Sequence, residues 1–284
     1  MSTQNLLSPQ YLETIPCNLC GSNKNSLWGK SEGFSIVKCD GCGLIYVNPR
    51  LNREGLQIAY GHDYYQMHVE SGALEKREKM YEIELREIQS LRTGGKILDV
   101  GCGGGFFVSR FGKSWEKSGT EFNPVAAEEA RKNFGLDVRV GPLPELGYSS
   151  EAFDVVNLRG VIEHFQDPYS YLVESYRILK KGGLVAINTP NIGSLCAQIY
   201  KEKFRLVTPK YHIYYFSTQT MTEMLKKAGF KIVRIRYFYL GTPYAHWTDG
   251  FKLLADSVRL AFNPVAPVVS PAFFDNVVHV YAEK

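Results

Sequence analysis

The chain has 284 residues, 13% of them aromatic, with a formal net charge of +4 and six cysteines. That length buries a full core and allows one large domain, or one plus a small module. No dense Lys/Arg block and no apolar run of membrane-spanning length is present, so composition asks for neither a nucleic-acid partner nor a membrane span.

The N-terminus, Met1 to Gln10, is polar and lacks the regions of a signal peptide, so a cytoplasmic protein is expected. In that reducing compartment six cysteines are not a disulfide framework. Cys17-Asn18-Leu19-Cys20 and Cys39-Asp40-Gly41-Cys42 are two CxxC knuckles separated by eighteen residues, a spacing suited to one four-cysteine zinc site. Cys17, Cys20, Cys39 and Cys42 would fill a tetrahedral ion, which points to a structural Zn2+ ribbon without a catalytic position. A redox pair is the competing reading, but a thioredoxin-like motif needs its own strand–helix context. Between the knuckles, Phe34 to Lys38 and then Leu44 to Val47 read as short strands ended by Asn48-Pro49.

Tyr60 to His68 is dense in rings and histidines, read as an aromatic cover beside a pocket or as a packing linker. Leu74 to Leu91 carries Met80, Ile83, Leu85, Ile88 and Leu91 at helical spacing. Then comes Lys96-Ile97-Leu98-Asp99-Val100-Gly101-Cys102-Gly103-Gly104-Gly105, a buried strand turning sharply into an expected helix with Phe107, Val108 and Phe111 on its inner stripe. Glycines here let a ligand lie against backbone N–H groups. A GxGxxG fingerprint counted from Gly101 would need glycine at 106, where Phe106 stands; the pattern is D-x-G-x-G-x-G.

From that loop onward strand and helix alternate, the pattern of a mostly parallel sheet covered on both faces. Gly119 to Phe122 is the second strand, and Glu121 lies 22 positions after Asp99. At the strand tip its carboxylate can accept both hydroxyls of a ribose, with Asn123 and Pro124 opening the next helix. Asp137 to Val140 and Phe153 to Leu158 are the third and fourth strands, Asp167-Pro168 opens a helix ending at Lys180 to Gly183, and Leu184 to Asn188 is the fifth strand. Ile192 to Tyr215 is a Tyr-rich insertion. Ser217 or Thr218 caps a helix to Gly229, Lys231 to Phe238 alternates as a strand, and Val277 to Tyr281 is the last strand. Residues 245–262 form an amphipathic helix with Phe251, Leu254, Val258 and Phe262 on one face, expected to serve in the core or as a lid because few cations accompany it.

The segments ILDVGCGGG, GTEFNP, FDVVNL, EHFQDP and ILKKGG resemble, in order and spacing, the class I S-adenosylmethionine (SAM) dependent methyltransferases, over about Lys96 to the end. The nearest likeness is to the branch of ubiquinone-biosynthesis O-methyltransferases and bacterial small-molecule methyltransferases. The resemblance implies an α/β, Rossmann-like sheet of seven strands with helices on both faces, whose last strand inserts antiparallel beside the fifth. With the ribbon this divides the chain into 1–50, a linker and cover at 51–94, and a methyltransferase domain at 95–284 with substrate-covering insertions at 192–216 and 239–272. The resemblance places Asp99, Gly101, Cys102, Gly103 and Gly105 at the methionine end of SAM, Glu121 on the ribose, and Phe122 and Leu143 against the adenine. Many relatives offer an acid to the adenine amino group after the third strand; Gly141-Pro142-Leu143 offers none.

For a hydroxyl acceptor a general base helps, and His164 and His212 are the candidates, with loop fixing or simple packing as their competing roles. Arg159, Asn191 and Tyr211 are candidate substrate contacts. The leading expectation is O-methylation of a small molecule such as a sugar, lipid-linked or secondary-metabolite acceptor. The alternatives are an RNA or protein methyltransferase whose ribbon holds substrate, opposed for RNA by a ribbon carrying only Lys24, Lys30, Lys38 and few other cations, and a non-catalytic SAM-binding module. Sequence leaves the oligomeric state open.

Overall fold

The computed structural model describes residues 6–60 and 74–284. Its N-terminal part carries β1 (Leu12–Glu13), β2 (Asn25–Ser31), β3 (Phe34–Cys39), β4 (Ile45–Val47) and β5 (Arg50–Leu51), then α1 (Arg53–Ala59) and α2 (Leu74–Leu91). The chain continues through β6 (Gly95–Val100), β7 (Trp115–Glu121), α3 (Pro124–Phe134), β8 (Asp137–Val140), β9 (Phe153–Arg159), α4 (Pro168–Ile178) and β10 (Leu179–Pro190). It closes with α5 (Leu195–Tyr200), β11 (Tyr214–Tyr215), α6 (Thr218–Lys227), β12 (Lys231–Arg236), α7 (Asp249–Phe262) and β13 (Val277–Glu283). Of the ring-rich stretch at 60–68 only Tyr60 falls among the described residues.

The helix starts follow local chemistry. The Asn123 side chain accepts from Val125 and Ala126 N–H ahead of Pro124, Asp167 accepts from Ser170 N–H ahead of Pro168, and Ser217 with Thr220 forms a capping box. The seven-stranded sheet has the order β12-β13-β10-β9-β6-β7-β8, with β13 antiparallel to both neighbours and the pairs from β10 to β8 parallel. This is the expected Rossmann-like architecture.

Alternation along the strands sends neighbouring side chains to opposite faces. Leu98, Val156 and Ile187 pack on one face with Leu172 of α4, Met221 of α6 and the N-terminal Tyr46; Ile97, Val155 and Ala186 pack on the other with Ile88 of α2 and Ala130 of α3. The N-terminal β-sheet is therefore built onto one face of the main sheet. Its order is β11-β4-β3-β2, so the insertion supplies a strand to it, Tyr214 opposite Tyr46 and Tyr215 opposite Ile45.

Three sequence expectations are corrected. The helix after the glycine loop is only a 3-10 turn at Val108–Arg110. Phe107, Phe111 and Trp115 stack edge to face at 5.6 and 5.0 Å, and the Lys117 ammonium donates to the carbonyls of Ser109 and Phe111, so the carbonyls of a longer helix are taken by other partners. The helix expected to reach Lys180–Gly183 ends at Ile178, and those residues open β10 instead. Of the core and lid roles expected for α7, the core role is the one corrected, because the apolar stripe faces outward: Phe251 is 70% and Phe262 87% exposed, with Leu254 and Val258 exposed beside them, while Leu253 enters the core. No helix among the described residues is long and apolar enough to cross a membrane.

Helix α2 is fastened to the sheet by one buried carboxylate. Glu84 accepts from Arg159 Nε at 2.5 Å, Asn188 Nδ2 at 2.8 Å and His279 Nε2 at 3.0 Å, joining β9, β10 and β13. Burial opposes its charge, but Arg159 and His279 outweigh that and hold the carboxyl below the usual range. Removing one partner of such a group strands the other charge, whereas removing both does not. Glu84→Met is therefore expected to cost about 3–5 kcal/mol in urea unfolding, and Glu84→Met with Arg159→Met less than that. A single variant within about 0.5 kcal/mol of the parent would contradict this account.

Candidate functional site

At the centre of the main sheet β6 and β9 run parallel, with Asp99 directly opposite Asn157. Their side chains join, Asn157 Nδ2 donating to Asp99 Oδ1 at 2.6 Å, and Asp99 is only 3% exposed. Burial pushes its carboxyl up to about 7, against the lowering effect of Asn157 and Arg159.

Beyond Asp99 the chain turns through Gly101, Gly103 and Gly105, all at positive φ (71°, 54° and 80°). A Cβ on Gly101 would lie 2.7 Å from Val161 Cγ1 and one on Gly105 2.5 Å from Leu136 Cδ1, so packing as well as backbone angle demands glycine there. At Gly103 a Cβ would meet nothing within 4 Å. The middle of the loop therefore faces open space where a ligand can approach the backbone. Glu121, at the tip of β7, braces this loop: its carboxylate accepts from Gly103 N at 2.8 Å, Phe122 N at 2.8 Å and Asn123 N at 2.9 Å. Cys102 turns its side chain inward, so close that a Cβ on Gly119 would meet its sulfur. Phe122 is exposed beside the loop and Leu143 fully buried.

Past β9 the chain leaves on the other side of the same edge. A 3-10 turn at Ile162–His164 carries Glu163 and His164, two and three residues beyond the Val161 that touches the glycine loop. Backbone bonds bring the insertion to it: Ile213 N donates to the Glu163 carbonyl at 2.9 Å, and Val47 N donates to that of Ile213 at 2.9 Å. As a result His212 stands against His164, ring centroids 4.7 Å apart and nearly perpendicular. A carbonyl only accepts, so His212 Nδ1–H donates to Leu206 O at 2.9 Å, while His164 Nδ1 lies 3.1 Å from Tyr211 O. The Tyr60 hydroxyl lies 2.8 Å from His164 Nδ1. Glu163 is buried, bonded by the Thr189 hydroxyl at 3.0 Å, and burial raises its carboxyl to about 7.

The two histidines, 48 positions apart in sequence, thus meet at the turn after β9, three residues past the Val161 that packs at Gly101. The other candidates lie differently. Arg159 belongs to the Glu84 network, its guanidinium 4.6 Å from the Tyr81 ring centroid. Both ends of the Asn191 side chain are engaged by backbone, Nδ2 donating to Asp275 O and Oδ1 accepting from Gly193 N. Tyr211 packs its ring 5.6 Å from that of Tyr60. Glu163 was missed by sequence reading; its adjacency to His164 was the available signal.

The four N-terminal cysteines form a second cluster, with all four sulfurs within 4.8 Å of one another, Cys17 to Cys42 at 3.5 Å and Cys20 to Cys39 at 3.4 Å. A tetrahedral ion with bonds of about 2.3 Å to sulfur sets its ligand atoms about 3.8 Å apart, so the donor set fits one zinc. These separations are far beyond a covalent S–S bond of about 2.05 Å.

A model of the methyltransferase domain family matches residues 73–235. The chain is 26% identical over 178 residues to a ubiquinone/menaquinone biosynthesis C-methyltransferase of Desulfotalea psychrophila, covering 54% of this chain and 72% of that one. It is 33% identical over 102 residues to a ubiquinone biosynthesis O-methyltransferase of Parvibaculum lavamentivorans, covering 34% and 40%. Among solved structures, a SAM-dependent methyltransferase and possible histamine N-methyltransferase of Thermotoga maritima superimposes with a TM-score of 0.57 at 23% identity, over 80% of this chain and 99% of that one.

The buried acid at the end of β6 has a measurable signature. With its folded pKa near 7 and an unfolded value near 3.8, Asp99 keeps a proton in the native state that the unfolded chain releases, so its contribution to stability falls as pH rises through that window. The stability of Asp99→Asn relative to the parent, measured by denaturation without ligand, is expected to increase from pH 4 to pH 8. A flat difference across that range would show that Asp99 is ionised in the fold.

Proposed function

The chain belongs to the methyltransferase domain family, as a class I SAM-dependent methyltransferase, and from that premise we propose that it methylates a hydroxyl of a small-molecule acceptor. The observation that carries this reading is the meeting of His164 and His212 on the turn just past the Val161 that packs at the glycine loop, which supports a proton-handling pair near the donor site.

SAM brings an activated methyl group on a sulfonium, and its binding falls to the loop. The open backbone at Gly103 receives the methionine end, in the proposal, with Asp99, Gly101, Cys102 and Gly105 shaping the turn. Glu121 takes the ribose hydroxyls; its carboxylate already holds the backbone that lines this place. Phe122 and Leu143 flank the adenine, one ring exposed at the rim and one side chain buried beneath.

On the other side the insertion covers the acceptor. Holding acceptor, methyl carbon and sulfur in line is the largest service the protein performs, and the backbone ties of the insertion to Glu163 supply that rigidity. His164 and His212 activate the acceptor hydroxyl. Relatives named for ubiquinone biosynthesis support a small-molecule acceptor, and they include both C- and O-methyltransferases, so the choice of oxygen rests on the histidine pair. The cysteine cluster is proposed to hold a structural Zn2+, which stiffens the sheet that β11 joins.

Two measurements test this reading. Glu121→Ala is expected to weaken SAM binding in calorimetry by about ten- to a hundredfold, the loss expected for hydrogen bonds to a charged group. His212→Ala is expected to lower kcat by about a hundredfold or more while leaving SAM affinity unchanged. A folded protein that binds neither SAM nor S-adenosylhomocysteine would overturn the proposal. Metal analysis should find one tightly held zinc that is lost, with a lower Tm, in Cys39→Ser; retention of that zinc would count against the four-cysteine site.

A further inference from the structure

From the outward stripe of α7 we infer that this face of the protein docks on a membrane surface rich in anionic lipid headgroups. The exposed side chains Phe251, Leu254, Val258 and Phe262 are continued at both ends of the helix: Trp247 before it is 81% exposed and Val265 after it 83%, with Val269 exposed farther along. The Trp247 and Phe251 rings are neighbours, their centroids 6.4 Å apart. Apolar side chains scattered singly over a surface are ordinary, whereas Trp247, Phe251 and Phe262 leave on the order of 400 Å2 of ring surface in water along one ridge. The ridge is held from beneath. Leu253 lies in the same buried cluster as Ala197 and Tyr200 of α5, and the Tyr200 hydroxyl donates to Asp256 at 2.6 Å.

Charge decides what covers it. At about 100° per residue, Lys252 and Arg259 fall along one border of the stripe. Both are exposed, and neither has an ion-pair partner among the described residues. The insertion brings two more cations to the segment that follows α7. Lys203 Nζ donates to the Ala266 carbonyl at 2.8 Å, and the exposed Arg205 is fixed beside the same segment by its backbone N–H, which donates to Ser270 Oγ at 3.0 Å. The neighbouring acids are engaged elsewhere. Asp249 is buried and accepts from the Tyr239 hydroxyl at 2.8 Å and His246 N at 2.9 Å, Asp256 accepts from Tyr200, and Glu202 lies against Gly29 of β2.

A second copy of this chain on the ridge would set these cations against their own kind across a shared apolar seam, which is unfavourable. An anionic bilayer satisfies both parts. The rings and aliphatic side chains enter the boundary between headgroups and acyl chains, and the lysines and arginines at the border reach the phosphates. Few cations accompany α7 in sequence; the rest arrive from the insertion by tertiary contact. The inference stands apart from the methyltransferase reading, because none of these side chains belongs to the glycine loop or the histidine pair.

The test uses the full chain and vesicles of phosphatidylcholine, with or without about one third phosphatidylglycerol. The protein is expected to sediment with the anionic vesicles about tenfold more strongly than with the neutral ones, and to be released as ionic strength rises from about 0.05 to about 0.5 M. Tryptophan emission is expected to shift to the blue on binding, and Trp247→Phe to remove that shift. Phe251→Ser with Phe262→Ser, and separately Lys252→Glu with Arg259→Glu, are each expected to weaken binding about tenfold or more. Thermal melting of the same preparations reports that they are folded, since all four side chains lie at the surface. Folded parent protein that sediments with neither kind of vesicle would overturn the inference, as would equal binding to both kinds. Binding to anionic vesicles unchanged in the two double variants would place the contact elsewhere and overturn it too. A lipid-free dimer in sedimentation velocity that Phe251→Ser with Phe262→Ser converts to monomer would assign the face to a second copy instead.

Discussion

The glycine loop and the turn that carries Glu163 and His164 both depend on the parallel pairing of β6 with β9, locked by the buried bond from Asn157 to Asp99. The chain leaves these two neighbouring strands in opposite directions, one into the glycine loop and the other into the turn that carries Glu163 and His164. Such a parting opens a crevice at the C-terminal edge of a parallel sheet. The two exits meet where Val161 fills the space that a side chain on Gly101 would need. The spacing between the glycine loop and the turn after β9 is thereby set by the packing of one valine against one glycine.

The turn that carries Glu163 and His164 has a second support. The segment around His212 is tied to Glu163 through Ile213, to the N-terminal sheet through Val47 and the β11–β4 pairing, and through Tyr214 to Arg50. Arg50 is itself buried, donating to Glu13 at 2.8 Å and to the Gln166 carbonyl at 2.6 Å. Its guanidinium therefore links N-terminal sheet, insertion and the approach to α4 at one point. Arginine suits such a junction because its planar fork offers several donors in fixed directions.

Much of this was legible in the sequence because it is written locally. The glycine loop, the caps at Asn123, Asp167 and Ser217, and the span of α2 follow from residue type and spacing alone. What stayed hidden depends on tertiary partners. Periodicity placed Phe251, Leu254, Val258 and Phe262 on one face of α7 but carries no information about which face turns to solvent. The partner of Arg159, read as a candidate substrate contact at a strand end, is Glu84, 75 positions earlier, which no local pattern shows. The helix after the glycine loop gave way to a chain of aromatic rings whose packing no local propensity records. Glu163 passed unnoticed because its character comes from burial.

The placement of β11 bears on how the chain is made. The bond from Arg50 to Tyr214 spans 164 positions, and β4 finds its outer neighbour only when Tyr214 and Tyr215 have emerged. During synthesis at about 5–20 residues per second, the N-terminal sheet would wait about ten seconds or more with that edge unpaired. An open strand edge invites pairing with other chains. The N-terminal sheet leaves the ribosome well before its outer strand, so its bare edge stays open while the residues between β4 and β11 are made.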